Sequence, residues 1–153
     1  MSNSKKLKGG LIGVGRMGLT HLSILNSYDN VEIIGLVDNN KSVLNVVSKH
    51  MNISCYSQSD QMFDSLNLDF IIIATPPGYH YSDIKKGLIN NLNIFVEKPF
   101  VMDNAHGQEL IEMISNKKLI NQVGYVIRYN ESFLKVKELI SRNIIGKIFN
   151  FKS

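Results

Sequence analysis

The stretch LKGGLIGVGRMG, residues 7–18, joins a short apolar run to a glycine triplet with the spacing G-x-G-x-x-G. A triplet between a strand and a helix is typical of a dinucleotide-binding turn. In such a turn Gly13 makes the bend, Gly15 lets the backbone approach a pyrophosphate, and Gly18 permits close helix–strand packing. The free N–H groups and the dipole of the helix would hold the diphosphate. The alternative is a tight strand-to-helix connection that binds nothing.

Short apolar runs alternate with segments of helical periodicity along the rest of the chain. We predict strands at 7–13, 31–37, 53–56, 69–74, 93–96 and 119–126. We predict helices at 17–27, 40–51, 61–66, 79–90, 103–116 and 131–142, with Asp103 as the N-cap of the fifth. This alternation indicates an α/β fold with helices on both faces of a parallel sheet. Six strands match the two halves of a doubly wound Rossmann fold.

Composition and charge exclude several classes of protein. The 153 residues are 44% hydrophobic and 20% charged, which is ordinary for one globular domain. The net charge of +4 comes from dispersed lysines, so no nucleic-acid partner is expected. No apolar run approaches the length of a membrane helix, no secretory signal is apparent, and no metal site is predicted. The single cysteine, Cys55, cannot form an internal disulfide, so a cytoplasmic location is expected.

Asp38 follows the second predicted strand, twenty residues after Gly18. A carboxylate at this position accepts hydrogen bonds from both hydroxyls of an adenosine ribose and repels a 2′-phosphate. No arginine follows Asp38 directly, so NAD is favoured over NADP as the cofactor, although Lys41 could reach a phosphate. Asp38 could also serve as the N-cap of the next helix, and the two roles are compatible.

Two further segments follow the fourth and fifth predicted strands, where a doubly wound sheet opens a crevice. Residues 74–80 read ATPPGYH, and His80 alone is better explained as a surface histidine with satisfied hydrogen bonds. Residues 97–99 read Glu-Lys-Pro. Lys98 would lie near the nicotinamide and assist proton transfer. From spacing alone, a surface Glu–Lys pair before a turn is the simpler interpretation.

These elements stand in the order found in the Gfo/Idh/MocA family, which the chain resembles up to about Lys147. The ordered set is the glycine triplet with His21 after it, the acid at position 38, residues 75–80, and Glu-Lys-Pro at 97–99. Residues 123–130, VGYVIRYN, resemble the family's G-F-x-R-R-F-x-P segment. There Arg128 matches the second arginine, whereas Ile127 and Glu131 depart from the pattern.

The resemblance implies the NAD-binding domain of a dehydrogenase that moves a hydride between the nicotinamide and a hydroxyl-bearing carbon. The substrate would be a sugar, a cyclitol or a nucleotide-sugar, and Lys98 would be the catalytic lysine. The cofactor-binding residues taken from the motifs and the resemblance are Gly13, Gly15, Arg16, Met17, Gly18, Asp38, Thr75, Pro76, His80, Glu97 and Lys98. The Lys98–Pro99 bond is expected to be cis, as in the similar Glu-Lys-Pro of glucose-6-phosphate dehydrogenases.

The end of the chain suggests a second domain. In the resembled family, a mostly antiparallel sheet domain supplies the substrate contacts. We therefore expect residues 1–145 to form the dinucleotide-binding domain and residues 146–153 to begin that second domain, so that the chain alone binds cofactor without turnover. Residues 148–152 alternate apolar and polar side chains, as an antiparallel strand does. We expect this segment to be mobile or to pair with another copy of the chain.

Two other functions are compatible with the motifs. One is a non-catalytic NAD-binding module that senses the cofactor or docks a partner. The other is a different Rossmann protein such as a methyltransferase, in which Asp38 would hold a ribose but residues 97–99 would have no role.

Overall fold

The strands form one sheet in the computed structural model, which describes residues 5–150 and 152. Their order is β3-β2-β1-β4-β5-β6, and every neighbouring pair is parallel. This is the strand order of the doubly wound dinucleotide-binding fold, which confirms the predicted fold class. The strands are β1 (Leu7–Ile12), β2 (Val31–Val37), β3 (Ser54–Tyr56), β4 (Phe70–Ile73), β5 (Asn93–Val96) and β6 (Asn121–Val123).

Helices connect successive strands, and three helices begin with a side-chain cap, including the sixth, where Asn130 accepts a backbone N–H. Asn40 accepts hydrogen bonds from the N–H groups of Ser42 and Val43 at the start of the second helix. Asp103 caps the fifth helix in the same way, as predicted. The helices are α1 (Arg16–Leu25), α2 (Lys41–His50), α3 (Ser59–Ser65), α4 (Pro77–Ile89), α5 (Asn104–Lys117) and α6 (Glu131–Ser141), with a 3₁₀ turn at Val126–Tyr129.

Alternate residues of the central strands supply two hydrophobic cores, one on each face of the sheet. Leu11 and Leu36 face the core that α1 and α2 cover. Ile12 and Val37, one residue further along the same strands, face the core that α3, α4 and α5 cover. Strands buried on both faces carry continuous apolar runs, which is why β2 and β4 could be located from the sequence.

Most element boundaries differ from the sequence prediction by one or two residues, and two of the differences have a clear physical reason. Helix α4 begins at Pro77, two residues before the predicted start, because a proline at the first helical position lacks only an N–H that would have no partner there. Strand β6 has three residues instead of the predicted eight, because the chain turns into the 3₁₀ helix at Val126.

The C-terminal segment stands apart from the sheet. Helix α6 makes its main tertiary contacts with the preceding 3₁₀ turn. Residues 146–150 form no strand, and Phe149 is 86% exposed; Phe151, part of the predicted strand, lies outside the described residues. Exposed apolar side chains continue along this segment: Phe133, Leu134, Val136, Ile140, Ile144, Ile145 and Ile148. In residues 5–150 and 152, no helix has the length and apolar character needed to cross a membrane.

Candidate functional site

The carboxyl ends of five strands lie in one row of the sheet. Ile12 pairs with both Val37 and Ile73, and the row continues through Val96 to Val123. Residues one position further along each strand therefore share one edge of the sheet, where ligands of doubly wound folds bind. These residues are Gly13, Asp38, Ala74, Glu97 and Gly124.

The glycine triplet forms the turn between β1 and α1, and each glycine has its own geometry. Gly13 has φ +91°, and a Cβ there would lie 2.7 Å from the carbonyl carbon of Ala74. A Cβ on Gly18 would lie 2.0 Å from the carbonyl oxygen of Gly13, so this glycine allows α1 to approach the turn. Around Gly15, by contrast, nothing lies within 4 Å of the Cβ position. The space in front of the helix N-terminus is therefore open on the side where a ligand would approach.

Arg16 and Met17 open α1, and both side chains are exposed. No acidic residue stands in the first turn of this helix. The N–H groups of that turn have no partner within the helix, and the dipole makes the helix end positive. An anion therefore meets no competing carboxylate from the first turn of α1.

Asp38 connects the glycine turn to the start of α2. Its Oδ2 accepts the N–H of Val14 over 2.7 Å, and its Oδ1 accepts the N–H of Asn40 over 2.8 Å. The alternative role as N-cap is wrong, because Asn40 caps the helix. An ionised carboxylate has about four lone-pair sites, so two stay available for ribose hydroxyls.

The connection after β4 begins with Thr75 and Pro76, and their environments differ. The hydroxyl of Thr75 donates to Oδ2 of Asp83 over 2.8 Å, so it points into the protein. Pro76 is exposed and serves as the N-cap residue of α4. Burial raises the pKa of the Asp83 carboxyl above its usual 3.8, while the hydrogen bond from Thr75 and the charge of Lys86 act in the opposite direction.

The structure places His80 inside the protein, with a relative exposure of 0%. Nδ1 lies 2.7 Å from the carbonyl oxygen of Pro99, and Nε2 lies 2.9 Å from that of Thr75. The interpretation as a surface histidine is therefore wrong. Since both ring nitrogens are occupied and the ring is enclosed, the expected direct contact of this side chain with the cofactor does not fit this geometry.

Glu97 has a partner that the local sequence did not indicate. Its Oε1 lies 2.7 Å from Nε2 of His21 on α1, and both side chains are mostly buried. The His21 ring also stands edge-on to Phe95, with 5.0 Å between ring centroids. A Cβ on Gly124 would lie 3.1 Å from Glu97 Oε2, so this glycine leaves room for the carboxylate. The pair ties α1 to the end of β5.

Lys98 is exposed at the same edge and lines an open groove of about 690 Å³. The groove continues along the residues after β6, where Ile127 and Phe133 give it an apolar wall and Arg128 adds a second cation. The Lys98–Pro99 bond is cis, as expected. The exposed ammonium group is therefore positioned beside a concave surface large enough for a small organic molecule.

The glycine turn, Asp38 and the Glu-Lys-Pro segment thus share one edge of a parallel sheet. The sequence model of the oxidoreductase family with an NAD-binding Rossmann fold, Gfo/Idh/MocA, matches residues 7–125. The chain belongs to this family. The stated resemblance is confirmed, and the family match leaves the methyltransferase alternative without support.

Three relatives show how much of a family member the chain covers. It is 26% identical to the scyllo-inositol 2-dehydrogenase (NAD(+)) of Bacillus subtilis over 93% of the chain and 42% of that protein. It superposes on myo-inositol 2-dehydrogenase of Lactobacillus plantarum with a TM-score of 0.87, at 27% identity, over 95% of the chain and 44% of that structure. The WlbA dehydrogenase of Bordetella pertussis, solved with NADH and UDP-GlcNAcA, shares the fold at 22% identity, with a TM-score of 0.89 over 97% of the chain and 43% of that structure. The chain spans less than half the length of these relatives.

The residues at the edge fit the cofactor that the family binds. Gly15 leaves the N-terminus of α1 open for a diphosphate, and Asp38 retains acceptor sites for a ribose. Within residues 5–150 and 152, no three His, Cys, Asp or Glu side chains are grouped to hold a metal ion. The cofactor of this family domain is NAD.

Proposed function

We propose that this chain is the cofactor domain of a dehydrogenase that acts on a hydroxyl-bearing carbon of a sugar, a cyclitol or a nucleotide-sugar. The observation that carries the proposal is the common row of strand ends, which brings the glycine turn, Asp38 and the segment Glu97–Lys98 to one edge. NAD, when bound, supplies a nicotinamide ring that accepts or gives a hydride. The inositol dehydrogenases among the relatives support the substrate class.

In this proposal the chain's own residues bind and orient. The first turn of α1 binds a diphosphate, and Asp38 accepts hydrogen bonds from a ribose. Lys98 Nζ hydrogen-bonds to the substrate hydroxyl and assists the transfer of the hydroxyl proton. Glu97, tied to His21, holds the backbone from which Lys98 projects. Gly13, Arg16, Met17, Gly18, Thr75 and Pro76 complete the proposed cofactor contacts.

The chain is expected to bind NADH at least tenfold more tightly than NADPH, a difference of about 1.4 kcal/mol. The reason is the charge of Asp38, which pairs with ribose hydroxyls and repels a 2′-phosphate. Asp38→Ala should weaken NADH binding and narrow the gap between the two cofactors. Titration followed by nicotinamide fluorescence measures both affinities.

Asp69→Ala is the matched control for this experiment. Asp69 also accepts a backbone N–H, that of Lys8 over 2.8 Å, but at the amino end of β4. This variant loses a comparable hydrogen bond and should keep both affinities. Equal or tighter binding of NADPH by the unaltered chain would contradict the role of Asp38 and point to Lys41.

The 153-residue chain is expected to show no turnover with NAD and myo-inositol or other polyols. A lysine assists proton transfer only when a substrate is held in a near-attack geometry, and the groove beside Lys98 is open. Absorbance at the NADH band measures turnover. Activity that Lys98→Ala abolishes and the distant surface variant Lys49→Ala retains would overturn this expectation.

An inactive chain that binds NADH tightly is also what the alternative, a non-catalytic sensor, requires. Activity of a longer chain containing these residues distinguishes the two.

We also propose the division into a dinucleotide-binding domain, residues 1–145, and the beginning of a further domain, residues 146–153. The support is the share of the relatives that the chain covers and the separation of α6 from the sheet. We also propose a cytoplasmic location, because a chain with a single cysteine forms no internal disulfide, as is usual for proteins of a reducing compartment.

Copies of the chain are expected to associate through the exposed apolar side chains of the C-terminal segment. Burial of such side chains stabilises contacts by roughly 25 cal/mol per Å² of apolar surface. Sedimentation velocity across a concentration series should show a larger species that Phe149→Ser weakens. Val46→Ser, which removes an exposed apolar side chain on α2, is the control. A chain that stays monomeric at all concentrations would contradict self-association.

A further inference from the structure

His80 connects two loops at the cofactor edge, the edge of the sheet formed by the carboxyl ends of the strands, where the cofactor is proposed to bind. It lies in the first turn of α4, fully enclosed. One ring nitrogen lies 2.9 Å from the carbonyl oxygen of Thr75, in the loop after β4. The other lies 2.7 Å from the carbonyl oxygen of Pro99, the residue after Lys98. Both distances are those of good hydrogen bonds.

The two carbonyl acceptors determine which ring nitrogens of His80 must be protonated. A carbonyl oxygen accepts hydrogen bonds and has no proton to donate, and a neutral imidazole has a single N–H. In a neutral ring, one nitrogen lone pair would therefore face a carbonyl lone pair inside a fully buried site. Leaving a buried polar atom without a partner is costly. Only a ring with a proton on both nitrogens donates to both carbonyls.

A negative group stands close to this ring. Asp83 lies one turn further along α4, and the charge of a protonated His80 favours the ionised form of its carboxyl group, which lowers its pKa. Its carboxylate accepts the hydroxyl of Thr75, the residue whose carbonyl His80 contacts. The other charges that act on Asp83 are Lys86 and Asp60, which form an ion pair of 2.6 Å at the surface. His80 and Asp83 do not form an ion pair within 4 Å, so the two carbonyl hydrogen bonds carry the argument for a ring protonated on both nitrogens.

We propose that His80 is a positioning residue that carries a proton on both ring nitrogens and ties the carbonyl of Thr75 to that of Pro99. It thereby sets where Lys98 projects at the cofactor edge. The role of Lys98 rests on the proposed function, whereas the protonation of both ring nitrogens of His80 does not. The side chain acts through the two loops and does not itself touch cofactor or substrate.

The first test counts the ring protons by NMR of the 17.3 kDa chain labelled with ¹⁵N-histidine. The chain has four histidines, so His80→Gln assigns the signal, and the exposed His50 serves as the reference. At neutral pH, both ring nitrogens of His80 should show directly bonded protons that exchange slowly with water. A ring nitrogen of His80 without a proton would overturn the proposal.

The second test separates positioning from stability. His80→Gln should shift the backbone amide signals of Thr75, Glu97, Lys98 and Phe100. It should also weaken NADH binding about tenfold, the factor that one charge-assisted hydrogen bond represents. Leu88→Ala, a core truncation on the same helix, should destabilise the chain without changing the NADH affinity. Unshifted amides in His80→Gln would refute positioning, as would an equal loss of affinity in Leu88→Ala. If the unaltered chain does not bind NADH, the proposed function fails, while the ring protons and amide shifts still decide the role of His80.

Discussion

Gly18→Ala is expected to lower the free energy of unfolding by about 3 kcal/mol. Overpacking of a close contact typically costs roughly 1–3 kcal/mol, and this contact is with rigid backbone. The added Cβ would lie 2.0 Å from the carbonyl oxygen of Gly13, which is backbone and cannot rotate away. Helix α1 would have to move off the end of β1, and NADH binding should be lost with it. Urea unfolding followed by circular dichroism measures the change.

Gly78→Ala is the control for this prediction. Gly78 also lies in the first turn of a helix, α4, and nothing lies within 4 Å of its Cβ position. Its replacement should leave stability unchanged or raise it slightly, because alanine favours a helix over glycine. A Gly18→Ala variant that unfolds at the same urea concentration as the unaltered chain would show that the turn tolerates a shift.

Gly15→Ala should separate binding from stability. The chain itself leaves the Cβ position of Gly15 empty, so the fold should lose less than about 1 kcal/mol, the difference between glycine and alanine at an N-cap. The methyl group would, however, stand in front of the N–H groups that receive the diphosphate. NADH affinity should therefore fall more than tenfold, which is more than 1.4 kcal/mol of binding. Fluorescence titration and urea unfolding on the same sample measure both quantities.

The comparison with Gly18→Ala makes the result specific. One variant should lose binding because the turn is distorted, and the other because the ligand is obstructed. If Gly15→Ala binds NADH as tightly as the unaltered chain, the diphosphate does not lie at the N-terminus of α1.

The sequence predicts the fold well because the decisive signals are local. Strands β2 and β5 have the predicted boundaries, since each is mostly apolar and ends where a carboxylate residue, Asp38 or Glu97, follows. The positive φ of Gly13 and the close backbone approach at Gly18 follow from the order strand, turn, helix, which the motif itself specifies. The acid at position 38 belongs to the same local pattern.

The partners of the site residues could not be predicted in this way. His21 and Glu97 are 76 positions apart, and only the placement of α1 beside β5 brings them together. The burial of His80 depends on two backbone carbonyls, which every residue has and which leave no mark in the sequence. The exposed end of the chain also differs from the predicted strand over residues 148–150, because alternation of apolar and polar side chains does not by itself supply a neighbouring strand.

The short strands at the two sides of the sheet bear on how this protein behaves when concentrated. β3 and β6 are the edge strands of the sheet and have three residues each, so each leaves only a few unpaired N–H and C=O groups for an added strand. Amyloid-type growth needs long, flat edge strands to which further strands can add. Clusters formed at high concentration should therefore be held by side chains, and they should redissolve on dilution instead of maturing into fibrils.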